Sequence, residues 1–158
     1  MKMMLILLLL GCGTQVNAQA GKKYAAKIFA QQLEEQTLAA HPELLGLELA
    51  STPPGSKHCQ TIASNEKRTI SEKCDKDEFT AMRTNKPLLE KEKENGGEVY
   101  DVTFPVHDFE GTVIATVGID LKPVPGQQSA EVRERAQRIA MELAAKIKTK
   151  ARLFEPAP

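Results

Sequence analysis

One stretch, residues 97–121 (GEVYDVTFPVHDFEGTVIATVGIDL), constrains the fold more than any other part of the chain. Tyr100, Val102, Phe104 and Val106 alternate with Asp101, Thr103, Pro105 and His107. After the loop His107-Asp108-Phe109-Glu110-Gly111, Val113, Ala115, Val117, Ile119 and Leu121 alternate with Ile114, Thr116, Gly118 and Asp120. A period of two over this length, broken once by Asp and Gly, predicts two antiparallel strands joined by a tight turn. One face of that hairpin is apolar and needs a cover. The other is mixed, free to meet solvent or a ligand.

The rest of the chain arranges itself around the hairpin. Residues 22–40 carry Ala26, Phe29, Leu33, Thr37 and Ala40 at near-helical spacing, and Pro42 ends the helix because the residue before a proline is pushed out of the α region. Leu45, Leu47 and Leu49 then alternate with Gly46, Glu48 and Ala50 as in a half-buried strand, and a second strand is expected over 58–64. A polar, irregular segment follows, with a short helix over 76–84. A strand over 88–93 turns through Asn95-Gly96-Gly97 into the hairpin, so that three strands form a meander. The last element is a long helix over 129–152, capped by Ser129, with Val132, Ala136, Ile139, Leu143 and Ile147 on one stripe. The fold class is therefore α+β.

The first twenty residues, MKMMLILLLLGCGTQVNAQA, read as a secretory signal peptide: one lysine, an apolar run over 3–10, and small residues at Ala18 and Ala20. The run is far short of the ~20 residues a membrane span needs. A lipoprotein signal is the alternative, with Leu9-Leu10-Gly11-Cys12 as lipobox and Cys12 acylated. Either way the mature chain is expected outside the cytoplasm, periplasmic or secreted. A single domain over 21–154 and a disordered tail over 155–158 are expected.

The 21 basic and 21 acidic residues balance, and there is no Trp and only two Tyr, so nothing favours nucleic acid or an anionic membrane. Cys59 and Cys74 are the two cysteines left after the leader, and in an oxidising compartment they suggest a disulfide. Closing that loop is worth about 3 kcal/mol. His58 beside Cys59 has no CxxC or HxxxH around it, so no metal site is expected, and without CxxCH no haem.

No GxSxG, HExxH or P-loop is present, and His41, His58 and His107 are scattered, so no enzyme is expected. Asp120 is the more informative residue, an acid inside an apolar strand. A dry face would oblige it to find a partner or a pocket, whereas a wet face would explain it without either. Asp101, Thr103, Thr116 and Asp120 share that face. They describe either a site for a cationic or hydroxylated ligand or an ordinary solvated surface.

The order of elements, together with Leu44-Leu45-Gly46-Leu47-Glu48-Leu49, Thr61-Ile62-Ala63-Ser64-Asn65 and above all FPVHDFEGTVIATVGIDL, resembles an extracellular PAS-like sensor module of the Cache (PDC) type. The matching hairpin positions are Pro105, Asp108, Gly111, Gly118 and Asp120. The resemblance implies a five-stranded antiparallel sheet with the long helix on one face and a small-molecule pocket on the other. It also implies contact of Asp108 and Asp120 with a ligand amine. The Arg-x-Trp-Tyr segment of amino-acid-binding members is not matched, and the module is expected to be free-standing.

The function expected is thus an exported, non-enzymatic, small-molecule-binding domain of sensor type that uses no cofactor. Its site would hold Asp101, Thr103, Asp108, Thr116 and Asp120, with Ser64 and Asn65 at the rim and Arg68 as an anion contact if the irregular segment folds over. The rival is a protein–protein interaction module whose helices meet a membrane sensor or a second copy. A redox or metal role for Cys59, Cys74 and His58 ranks third.

Overall fold

A computed structural model describes residues 27–94 and 97–158, with the backbone alone at Lys93 and Glu94. The expected leader with Cys12, the start of the 22–40 helix and the Asn95-Gly96 turn lie outside the described residues. The elements run α1 (Phe29–Ala40), β1 (Leu44–Ser51), β2 (Gln60–Ser64), α2 (Lys76–Thr84), β3 (Leu88–Glu94), β4 (Gly97–His107), β5 (Val113–Leu121), α3 (Ser129–Ala144) and α4 (Lys150–Phe154). The strands form one antiparallel sheet in the order β2-β1-β5-β4-β3. The meander and the closing hairpin are as the alternation predicts, and the sheet has five strands.

The alternation of β4 and β5 divides the sheet into two faces. Val102, Val106, Val117, Ile119 and Leu121 point to one and are buried, joined by Leu47 and Leu49 of β1. Three helices cover this face. α1 contributes Ala30 and Leu33; α3 contributes Val132, Ala136, Ile139 and Leu143; α4 contributes Leu153. The opposite face carries Gly46, Glu48, Asp101, Thr103, Thr116, Gly118 and Asp120, and among the described helices α2 lies against it.

Several expectations need correction. α1 begins at Phe29, because Ile28 is extended and bridges Pro156. The tail expected to fray instead runs beside the chain before α1: Phe29 donates its N–H to the Glu155 carbonyl (2.8 Å), and Ala157 donates to that of Lys27 (2.9 Å). The long C-terminal helix is two helices, broken after Ala144 and restarted at Lys150 with Thr149 as its cap. The residue flanking α3 is Gln128 rather than Ser129. Its backbone N–H donates to Glu131 Oε2 at 2.9 Å, so the first-turn acid also satisfies the helix entrance. In β1 the register against β5 shifts between Leu44 and Gly46, which turns Leu44 inward and leaves Leu45 39% exposed. Simple alternation put Leu45 with Leu47.

Cys59 and Cys74 are joined in a disulfide, as expected. The bond ties the chain just before β2 to the residue before the cap of α2. Cys74 also donates its N–H to the Cys59 carbonyl (3.2 Å), and Gln60 bridges Lys73. With Ala50 and Met82 the two cysteines form a small apolar cluster on the α2 side. The disulfide therefore fixes where α2 starts.

Candidate functional site

α2 begins with a cap that the sequence spells out as Asp75-x-x-Glu78. Asp75 Oδ1 accepts from the N–H of Asp77 (2.8 Å) and Glu78 (2.9 Å), and Glu78 Oε2 accepts from the Asp75 N–H (2.8 Å). This reciprocal cap turns both carboxyl groups toward the sheet. There they meet Glu48, Asp101, Thr103, Gly118 and Asp120 around a half-enclosed cavity of about 140 Å³. Among the described residues lining it, five are acidic and none is basic.

The sheet register assembles the floor. Asp101 and Asp120 sit directly opposite one another across β4 and β5, as do Thr103 and Gly118. On the other side of β5, Gly46 faces Asp120 and Glu48 faces Gly118. A side chain at Gly46 would fill the space that Asp120 uses, since a Cβ there would lie 2.0 Å from Asp120 Oδ2. Gly46 is thus the residue that admits an acid at position 120. Glu48 is held from behind: Oε1 accepts from Thr61 Oγ1 (2.7 Å) and Oε2 from Thr69 Oγ1 (3.1 Å).

Acids packed this closely cannot all ionise freely, because burial and like charge both disfavour the anion. Burial raises the Asp101 pKa to about 7, reinforced by Asp120 opposite it and then by Glu92, Asp75 and Asp77. Burial likewise raises Glu78 to about 8, against the Asp75 amide, which favours the anion; the charges of Glu48 and Asp75 and a hydrogen bond with Glu48 raise it further. A carboxyl–carboxylate hydrogen bond needs a proton between its oxygens. Burial and like charge thus both favour the protonated forms of Asp101 and Glu78.

Of the residues expected at a site, Asp101, Thr103 and Asp120 line this cavity. The others do not. Thr116 is fully buried on the same face, and its Oγ1 finds no hydrogen-bond partner among the described residues. Asp108 closes the β4–β5 turn by accepting from the N–H of Glu110 (3.0 Å) and Thr112 (2.9 Å). Asn65 bonds the backbone of β1, accepting from Leu47 N–H (2.9 Å) and donating to Leu45 O (3.2 Å). Ser64 Oγ accepts from Glu66 N–H (3.0 Å), and Arg68 lies exposed against Glu66. Glu48, Asp75 and Glu78 were missed. Glu48 was legible as the one charged residue inside a strand of leucines, and Asp75 and Glu78 as a capping box. What hid them was the placement of α2 over the sheet. Among the described residues no group of three or more His, Cys, Asp or Glu has the arrangement to hold a metal ion.

No family model and no curated protein matches the chain. Among solved structures it is similar to the second GAF domain of DevS from Mycobacterium smegmatis, with 13% identity over 73% of this chain and 88% of that one (TM-score 0.53). A weaker likeness is to the inducer-binding domain of the PobR transcription factor from Acinetobacter, with 14% identity over 75% and 94% of the two chains (TM-score 0.48). A weaker one still is to an RNA-binding light-oxygen-voltage receptor, with 17% identity over 82% of this chain and 41% of that one (TM-score 0.36). At such identity a likeness speaks to fold alone. The chain has an α+β fold like that of a GAF domain, a five-stranded antiparallel sheet with helices on both faces.

Proposed function

We propose that this chain is an exported, non-enzymatic sensor-type domain that binds a small cationic molecule in the cavity between α2 and the sheet. One observation carries the proposal: five carboxyl groups from three strands and one helix converge on a single half-enclosed space. Acids brought together by folding cost stability, and an ammonium or guanidinium group in their midst offsets that cost. The Cache-type resemblance of the hairpin supports the same chemistry, since it assigns Asp120 to a ligand amine. The same resemblance also gives Asp108 that role, but here Asp108 serves the turn. The 1–20 leader supports export, and the Cys59–Cys74 disulfide is compatible with it.

The test is a thermal-shift and calorimetric titration of the purified protein with cadaverine, spermidine, arginine and choline, with citrate and glucose as controls. A cationic hit should saturate and raise the melting temperature by several degrees at a hundredfold excess over Kd. It should bind more tightly at pH 8 than at pH 6, because binding expels protons from Asp101 and Glu78. Asp120→Asn should abolish it while the protein stays folded. A flat response to every amine at both pH values would overturn the proposal. It would favour the interaction-module reading, for which the half-exposed Phe79 on the outer side of α2 is the specific observation.

A further inference from the structure

We propose a second, separate small-molecule site: the apolar pocket between α3 and the end of β4 that β3 leaves uncovered takes an apolar acid, its carboxylate held by Gln137 and by the Asn85 amide that His107 orients. The pocket arises from a mismatch of strand lengths. β4 runs to His107, but β3 begins at Leu88 opposite Thr103, so the last four residues of β4 have no neighbour on that side. Pro87 and the left-handed Asn85 that ends α2 carry the chain away from the edge. The space left over measures about 360 Å³, within the range of small-ligand sites.

Its walls are chemically unlike the acid cavity. Phe104 and Val106 form the floor; Ala140 and Ala144 of α3 leave room above it, where larger side chains would fill the gap. Met141, 63% exposed, forms a lip of the kind that adapts to differently shaped apolar ligands. Among the described residues lining the pocket none is acidic. The polar groups gather at one end. His107 Nε2 and Asn85 Oδ1 are 2.6 Å apart, and Gln137 is the third polar residue. With His107 Nε2–H donating to Asn85 Oδ1, the Asn85 and Gln137 amide N–H groups are the donors suited to a carboxylate. An apolar body with an anionic head matches that layout, and a cation does not.

The experiment is displacement of 1-anilinonaphthalene-8-sulfonate by decanoate, with decanol and decylamine as comparison ligands, on the full protein. Decanoate should displace the dye at one equivalent per chain, and decylamine at least tenfold more weakly. Gln137→Trp, at an exposed position that plugs the mouth, should abolish displacement with an unchanged circular dichroism spectrum. His107→Phe should weaken decanoate by tenfold or more and leave decanol unaffected. Phe109→Ser removes the most exposed phenylalanine away from the pocket and should change nothing. Unchanged decanoate binding in folded Gln137→Trp, loss of binding in Phe109→Ser, or no saturable binding by the wild-type protein would each overturn the assignment. Because none of the three mutated residues lines the acid cavity, amine binding measured on the same variants reports on that site separately.

Discussion

The two faces of the sheet are built from neighbouring residues of the same strands, yet they do opposite things to the free energy. Ile119 and Asp120 are consecutive in β5. Ile119 is fully buried under the helices, whereas Asp120 faces Gly46 and Asp101 in the acid cavity. The helix-covered face removes apolar area from water, which is the main favourable term in folding. The α2-covered face gathers carboxyl groups and raises the pKa of two of them, which is unfavourable to the folded state wherever those groups must ionise. A protein that stores repulsion on one face must have surplus on the other. Most of the apolar burial lies on the helix side, and the cluster of carboxyl groups lies on the α2 side.

The largest effect expected from breaking this contrast is on the helix side. Ile119→Ala deletes a side chain with no solvent exposure and packed on all sides. It should cost about 2–5 kcal/mol, read as a fall in the urea midpoint with an unchanged m-value. The loss should be the same at pH 5 and pH 8, since Ile119 lies in the apolar cluster and lines no part of the acid cavity. A cost that grew with pH would mean the two faces are not energetically separable.

A smaller effect, on the other face, comes from Gly46→Ala. The new Cβ would collide with Asp120 Oδ2, so strand or side chain must shift. Overpacking of this kind costs about 1–3 kcal/mol. The useful measurement is the double variant Gly46→Ala/Asp120→Ala, which removes the contacts with Oδ2 and Cγ and leaves a 3.2 Å approach to the Cβ of position 120. Its destabilisation should be smaller than the sum of the single changes by about 1 kcal/mol or more. Additivity would sink the claim that Gly46 exists to make room for the acid.

These two residues also show what was legible in the sequence and why. The alternation in 97–121 reports on its own two strands, because period two is a local property of a strand lying on a core. It therefore located Ile119 in the core and Asp120, Asp101 and Thr103 on the opposite face. The disulfide needed only a count of cysteines. The cavity itself is non-local. Glu48 comes from β1, Asp75 and Glu78 come from a helix 27 and more residues later in the chain, and only the packing of α2 brings them to the hairpin. Thr116 and Asp108 lie outside the cavity for a related reason: being on the same face, or in the adjoining turn, does not bring a residue to the same space. Position 45 failed because a register shift reverses the parity of a strand, and nothing in a run of leucines marks where it happens. The break after Ala144 escaped because Ile147 still falls on the apolar stripe of α3 and is buried.

The finest test of the contrast is the pH dependence of stability. A carboxyl group whose folded pKa lies above its unfolded value binds its proton more tightly in the native state. Its contribution is fully present below the unfolded pKa near 4 and is lost as pH rises through the folded value. Asp101 at about 7 and Glu78 at about 8 both have this sign, so the ligand-free domain should lose stability steadily between about pH 4 and pH 8. Glu34, buried in α1 on the helix side, is also raised to about 7, by burial and by Glu35 against the pull of Lys27 and Lys67, and it adds to the same slope. Each extra native-state proton contributes at most about 1.4 kcal/mol per pH unit, and less where water reaches the group, as at the half-buried Asp101. Asp101→Asn should therefore flatten the profile without abolishing it. The variant should match the wild type near pH 4 and exceed it at pH 8. Adding Glu78→Gln should flatten it again, leaving the residual slope to Glu34 on the opposite side. Urea midpoints from pH 4 to 9 for these variants separate the faces group by group. A wild-type profile that stays flat across that range would mean the acid cavity exacts no cost, and that nothing in it waits for a cation to relieve.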